Sequence, residues 1–168
     1  MKNFRTMLPI FLVLISAGCN STTQFQISIP TPTYEVISMT KPIQADVLTV
    51  EVTGQTNDHQ FNVQVLSPDT GCGQYADWWE VLSEDGQLLY RRVLLHSHVD
   101  EQPFTRSGGP VAVDADTVVI VRAHMNKAGY GGAALRGSTS NGFQTVELES
   151  GFAAGVEALP PLPDDCAF

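Results

Sequence analysis

In the stretch VLLHSHVDEQPF, two histidines stand one residue apart and an acidic residue follows, at His96, His98 and Glu101. If a strand runs through them, side chains at i and i+2 project from one face, with Cα atoms about 6.5–7 Å apart. That spacing allows both imidazoles to bind one cation, and Glu101 offers an oxygen across the following turn. This is one way to build a zinc, copper or iron site.

A third nitrogen ligand is available from His124, near the end of the run Thr117–Met125. Alternation in that run places Arg122 and His124 on its polar face, but the sequence does not determine whether the two strand ends meet. The alternative is that the histidines are surface or edge residues and that Glu101 belongs to a turn. We expect a strand end first and a metal site second.

A second candidate site lies in QYADWWEV, which places Tyr75, Trp78 and Trp79 within five positions. Adjacent strand residues point to opposite faces, so one tryptophan is predicted in the core and the other at the surface or under a loop. An exposed indole would stack on a sugar ring or bind a peptide partner. We favour the alternative, in which one tryptophan is in the core and its neighbour covers a sheet edge.

Arg106 precedes a glycine pair in TRSGGP, and its guanidinium group could bind a carboxylate. Strings of this composition are mostly loops, and we predict a loop here. The chain has no Gly-x-Ser-x-Gly motif, and a Cys72 flanked by glycines is better suited to oxidation than to catalysis. No catalytic residue is assigned, and the sequence favours a protein that is not an enzyme.

Strands must position these candidates, because apolar and polar residues alternate in several short stretches of the chain. The predicted strands are Tyr34–Met39, Leu48–Val52, Phe61–Val65, Trp78–Leu82, Leu88–Leu95, Val111–Val113, Thr117–Met125 and Phe143–Glu149, with turns at Asn57-Asp58, Ser83–Gly86 and Asn141-Gly142. Short helical candidates are Ala133–Arg136 and Phe152–Leu159. Seven to eight strands without a long helix predict an all-β fold, a two-sheet antiparallel sandwich that is Ig-like or similar; a barrel is the alternative.

The first eighteen residues have the composition of a secretory signal. Lys2 and Arg5 give a positive start, and the apolar run Met7–Ile15 leads through small residues to Cys19. Nine apolar residues are too few for a helix that crosses a hydrocarbon layer about 30 Å thick, which needs roughly twenty. We therefore predict a cleaved signal rather than a membrane-spanning helix.

The stretch ISAGC, residues 15–19, resembles the lipobox of bacterial lipoproteins, with Ser16 where the pattern most often has leucine. The resemblance covers residues 1–20. It implies that the Cys19 sulfur carries a diacylglycerol and that Cys19 becomes the acylated N-terminus, which holds the chain to a membrane. Asn20, in place of aspartate, implies the outer membrane where the cell has one. The alternative is a secreted protein whose Cys19 pairs with another cysteine.

If Cys19 is lipidated, Cys72 and Cys166 remain as an even pair in an oxidising compartment, which predicts a disulfide. That bridge closes a loop of about 95 residues and contributes on the order of 4–5 kcal/mol in the chain-entropy model. Free thiols or a reactive Cys72 are the alternatives. The bridge would also hold the proline-rich, acidic tail ALPPLPDDCAF against the domain.

The predicted organisation is a signal peptide over 1–18, a lipidated tether over 19–33, a β-sandwich over 34–149 and a C-terminal tail over 150–168. Cleavage removes Lys2 and Arg5, so 7 basic residues remain against 18 acidic ones and the mature net charge is −11. Such a surface repels phosphate backbones, which argues against a nucleic-acid partner.

These features predict a lipid-anchored protein of the cell envelope that binds or assists an envelope protein or a cell-wall glycan without catalysing a reaction. The alternative is a metal-binding domain or metalloenzyme that uses the histidines to hold a transition metal such as zinc or copper. No other cofactor is indicated.

Overall fold

Eight β-strands form the framework of the computed structural model, which describes residues 43–167. They are β1 (Asp46–Gln55), β2 (Asp58–Leu66), β3 (Ala76–Ser83), β4 (Leu88–Val93), β5 (Phe104–Val111), β6 (Val119–Met125), β7 (Ala134–Ser138) and β8 (Gly142–Val146). A short 3₁₀ helix follows over Ala154–Ala158. The predicted signal, the tether and the predicted strand at Tyr34–Met39 lie outside the described residues. Within 43–167 no helix has the length and apolar character that a membrane crossing requires.

The strands form two antiparallel sheets, which confirms the predicted all-β sandwich. One sheet has three strands in the order β1-β2-β5, and the other has five in the order β4-β3-β6-β7-β8. Apolar side chains from both sheets meet in one core cluster that includes Phe61, Val63, Trp79, Val81 and Val121. Residues with a spacing of two share a face of a strand, so the alternation in the sequence becomes the inner layer of each sheet.

Tight turns at the predicted positions join the two strands of each hairpin. Asn57 has φ 63° between β1 and β2, Gly86 has φ 83° between β3 and β4, and Gly142 has φ 76° between β7 and β8. Asparagine and glycine adopt this left-handed conformation more readily than other residues, and it matches the twist of a two-stranded ribbon. The three predicted turns are therefore confirmed.

β3 and β6 are the central pair of the five-stranded sheet, and nearly all of their residues are buried. Trp79 faces the core between the sheets. On the opposite, outer face, Trp78 pairs with His124 and Glu80 pairs with Arg122 across the two strands. A strand that is buried on both faces needs a second covering layer. The end of the chain provides it.

The C-terminal segment, residues 147–167, packs on the outer face of the five-stranded sheet. Val156 of the 3₁₀ helix is buried in a second apolar cluster with Leu82 and Ile120. A disulfide joins Cys166 to Cys72, with the two Cα atoms 5.6 Å apart. The predicted disulfide is therefore present, and the tail beyond Glu149 is held against the sheet.

Two predictions near the candidate sites are wrong. β4 ends at Val93, so the predicted strand does not continue to Leu95, and His96 and His98 do not share a strand face. The string TRSGGP is not a loop, because it lies inside β5. The first glycine of this string, Gly108, is needed for core packing, because a Cβ atom there would lie 2.8 Å from the Trp79 ring.

Both short helical predictions also need correction. Ala133–Arg136 lies almost entirely in β7, where Ala134 and Leu135 are buried in two different apolar clusters. Two adjacent apolar residues on opposite faces fit a strand as well as one turn of helix, so this short run did not distinguish the two. In Phe152–Leu159, the 3₁₀ helix covers Ala154–Ala158.

Candidate functional site

A buried carboxylate lies at the centre of the outer face of the five-stranded sheet. Glu80 is 0% exposed, and each of its oxygens accepts hydrogen bonds from a different arginine. Arg91 donates from Nε at 2.9 Å and from Nη2 at 2.6 Å to one oxygen, and Arg122 donates from Nε at 2.9 Å to the other. Two buried guanidinium groups thus share one negative charge.

Strand register brings these three residues together. Glu80 on β3 lies directly opposite Arg91 on β4 and opposite Arg122 on β6. Neighbouring strands are about 4.8 Å apart, so side chains at facing positions on one face are in reach of each other. Residues that are 11 and 42 positions apart in sequence therefore form one charged cluster.

Other N–H groups of the two guanidinium groups bind the main chain of the C-terminal segment. Arg91 donates to the carbonyl oxygens of Val156 at 2.8 Å and Leu159 at 2.6 Å. Arg122 donates to those of Phe152 at 2.8 Å and Ala153 at 3.2 Å. Charge-assisted hydrogen bonds are stronger than neutral ones. The cluster therefore attaches the segment to the sheet.

A histidine–aspartate pair lies beside this cluster. His124 Nδ1 is 2.6 Å from Asp77 Oδ1, and the His124 ring stacks on Trp78 with centroids 3.7 Å apart and planes 5° apart. If the imidazole is neutral, its single N–H belongs on Nδ1, where the carboxylate accepts it. Nε2 then carries a lone pair, and it lies 3.5 Å from Glu157 Oε1.

A cleft of about 600 Å³ opens between the sheet and the C-terminal segment. It forms because β6 pairs with β7 through Val119–Val121, and the chain then loops out before it returns at Ala134. Arg122, Tyr130 and Phe152 line its inner part, and Glu147, Glu149 and Glu157 line its outer part. The volume falls in the usual range of small-molecule sites.

Tyr130 connects the cleft to the buried cluster. Its hydroxyl accepts a hydrogen bond from Trp78 Nε1 at 3.3 Å, and the Arg122 guanidinium lies 3.5 Å from the centre of its ring. Burial, with a further contribution from the negative charge of Glu80, raises the pKa of Tyr130 to about 12. The phenol therefore stays protonated at neutral pH.

The structure separates His124 from the other two histidines of the predicted metal site. β4 and β6 both pair with β3, and Val93 and His124 both lie opposite Trp78. The C-terminal ends of β4 and β6 therefore lie at the same end of the sheet. His124 turns to the outer face, whereas His98 stacks on Phe104 of the three-stranded sheet, 3.8 Å between centroids. In residues 43–167, no three His, Cys, Asp or Glu side chains converge as a metal site.

His96 and His98 line a separate hollow of about 400 Å³. Their ring centroids are 4.6 Å apart, and neither ring nitrogen of the buried His98 has a hydrogen-bond partner. Burial and the positive charges of Arg106 and His96 lower the pKa of His98 to about 4, so this ring is neutral at pH 7. Glu101, the predicted oxygen ligand, is paired with Arg106 at 2.7 Å.

The aromatic residues predicted for partner binding are all buried. Trp79 is in the core, Trp78 lies on the outer face with the Arg91 guanidinium 4.4 Å from its ring centre, and Tyr75 is 4% exposed. Neither indole therefore presents a free face for a sugar. The favoured alternative is right about a core tryptophan, but Trp78 does not cover a sheet edge, because β3 has a neighbouring strand on each side. Arg106 lies on β5, and its guanidinium group is taken up by Glu101.

Sequence analysis missed most residues of the cleft and the cluster. A glutamate inside the apolar run WWEVL and an arginine inside TVVIVRAHM were the available signals, because a charge in the middle of a buried strand needs a partner. Tyr130 and Glu157 carried no signal of this kind. They reach the site through a loop and a short 3₁₀ helix whose paths the alternation pattern does not encode.

No protein-family model and no solved structure matches the chain. It is similar to a protein of Halomicrobium mukohataei whose name is "Putative lipoprotein", with 42% identity over 101 residues. The matched region is 60% of this chain and 45% of that protein, so the chain spans less than half of its relative's length.

We predict that Glu80→Gln lowers the free energy of unfolding by about 3–5 kcal/mol, because it leaves two buried guanidinium groups without their counter-charge. Urea denaturation followed by tryptophan fluorescence measures this loss. The matched control is Glu84→Gln, which removes an exposed ion pair with Arg136 and should cost less than about 1 kcal/mol. Equal losses in the two variants would contradict the role of the buried cluster.

Proposed function

We propose that this chain is a lipid-anchored protein of the cell envelope whose sandwich domain binds a partner in the cleft beside Tyr130. The anchoring half of the proposal is supported by the residues ISAGC before Asn20 and by the name of the Halomicrobium mukohataei relative. The Cys72–Cys166 disulfide is consistent with an oxidising compartment outside the cytoplasm. Placement in an outer membrane, where there is one, is the finer part of the proposal and rests on Asn20.

The cleft is the observation on which the binding half of the proposal rests. Its inner wall is preformed, because Arg122 and Tyr130 are held by the buried cluster and by Trp78. Preformed walls lower the ordering cost of binding.

No serine, threonine or cysteine is hydrogen-bonded to His124 in the described residues, so the Asp77–His124 pair has no nucleophile to activate. A binding role fits this geometry better than a catalytic one.

A protein partner fits the cleft better than a glycan. Sugar sites usually offer a free aromatic face for stacking. Both tryptophans of this domain are buried, and the Arg122 guanidinium already lies over the Tyr130 ring in the cleft, 3.5 Å from its centre. The outer wall of the cleft instead carries Glu147, Glu149 and Glu157, which favour a charged partner over a neutral one.

Metal binding by His96 and His98 is the second candidate function. The observation that favours it is the buried, neutral ring of His98, whose nitrogens have no hydrogen-bond partner and whose centroid is 4.6 Å from that of His96. A neutral imidazole is the form that binds zinc or copper. In this reading solvent completes the coordination, since Glu101 is paired with Arg106.

We expect mass spectrometry of the native protein to find a chain that begins at Cys19 and carries a diacylglycerol. The Cys19→Ser variant should keep residues 1–18 or lack lipid, and should leave the detergent-rich phase in a detergent partition assay. A native chain with an unmodified Cys19 would contradict the anchoring proposal and would leave the binding proposal standing.

For the metal candidate, elemental analysis of the purified protein should find one zinc or copper ion per chain, lost in the variant His96→Ala/His98→Ala. The matched control is His59→Ala, which removes a buried histidine on β2. A metal-free native protein would eliminate this candidate, and so would a metal content that the double variant leaves unchanged.

A further inference from the structure

The cleft beside Tyr130 coincides with a gap of one strand in the five-stranded sheet. β7 lies between β6 and β8, but it starts only at Ala134. β7 pairs with β6 as far as Val121, and the next bridge on that edge of β6 is at Met125. In the part of the chain that the structure describes, residues 122–124 therefore have β3 on one side and no paired residue on the other.

The start of β1 draws the chain away from this strand position. Ala133 would extend β7 by one residue, but its N–H donates to the Asp46 carboxylate at 2.7 Å and its carbonyl oxygen accepts from the Val47 N–H at 2.9 Å. The main chain of Ala133 thus binds β1 rather than β6. On the other side of the gap, β8 pairs with β7 as far as Val146, and residues 147–149 continue beyond that last pair.

The dimensions of the gap suit an extended peptide. Neighbouring strands are about 4.8 Å apart, so β6 and the chain beyond β8 are separated by about two strand spacings with no strand between them. The cleft has a volume of about 600 Å³ and is lined by Arg122 and Ala123 of β6 on one side and by residues 145–150 on the other. An added strand gains main-chain hydrogen bonds at an unpaired strand edge.

We propose that this gap accepts an extended segment of a partner protein, which completes the sheet by main-chain pairing with residues 122–124 and with residues 147–149. The inference rests on the proposed binding function and names how the partner is held. Main-chain pairing supplies the affinity, and side chains adjust it. Because Glu147, Glu149 and Glu157 line the same cleft, we expect basic residues in the segment.

Calorimetric titration of the full chain in nonionic detergent tests the inference with three probes. They are acetyl-KVTVK-amide, the same peptide with a methyl group on the main-chain nitrogen of its threonine, and the acidic peptide acetyl-EVTVE-amide. We expect saturable binding of the first at one site per chain. The methylated peptide keeps every side chain but loses a main-chain donor, and it should bind at least tenfold more weakly. The acidic peptide should also bind more weakly than the basic one.

Hydrogen–deuterium exchange of the complex locates the bound peptide. At least one amide in residues 122–124 and one in residues 147–149 should exchange at least tenfold more slowly than in the free protein. The matched control is the turn at Asn141-Gly142, which lies at the opposite end of β7 and should exchange at an unchanged rate.

Four results would overturn the inference. Equal affinity for the methylated peptide would keep a binding role for the cleft and reject strand pairing. Binding without slower exchange in the two ranges would place the peptide elsewhere on the protein. A dimer in sedimentation equilibrium, with both ranges protected, would assign the gap to a second copy of the chain. Absence of binding by all three peptides would count against strand pairing and against the proposed function together, because main-chain recognition tolerates many sequences.

Discussion

The burial of Glu80 between Arg91 and Arg122 is the constraint on which the outer half of this molecule depends. An unpaired carboxylate at this depth would cost several kcal/mol, and so would either guanidinium group. Pairing makes the three charges tolerable, but it leaves guanidinium N–H groups that still need acceptors. The carbonyl oxygens of Val156, Leu159, Phe152 and Ala153 supply them. The C-terminal segment is therefore the covering layer that the buried cluster requires.

The cleft follows from the same arrangement. Its sheet side is Arg122 and Tyr130, positioned by the cluster, and its other side is the C-terminal segment that the cluster holds. The Cys72–Cys166 disulfide restrains the chain beyond the arginine contacts and limits how far the segment can move from the sheet. Main-chain hydrogen bonds fix the position of the segment, and the covalent bridge restricts the unfolded chain. The two restraints act on different parts of one wall.

The local sequence pattern was sufficient to predict the sandwich and the hairpin turns, because alternation and turn residues are properties of short stretches. The disulfide followed from the number of cysteines. Predicting the site required the strand register, that is, which residues face each other across neighbouring strands. Glu80, Arg91 and Arg122 are recognisable as partners only when their strands are aligned. β3 and β4 are aligned by a local hairpin, but the alignment of β3 with β6 joins strands that are far apart in sequence and is not encoded locally. The metal prediction for His96, His98, Glu101 and His124 required the side chains at two strand ends to come together, which the sequence left open. The rings instead turn to opposite sides of the sheet, because one stacks on Trp78 and another on Phe104.

Hydrogen–deuterium exchange of the C-terminal segment tests most directly whether the buried arginines hold it to the sheet. The amides of Phe152, Ala154, Val156 and Leu159 donate to carbonyl oxygens inside the segment and report on its integrity. After reduction of the Cys72–Cys166 bridge under native conditions, the account predicts that these amides keep their slow exchange, because the bonds from Arg91 and Arg122 remain. Exchange that rises to the rate of an unfolded peptide on reduction alone would contradict it.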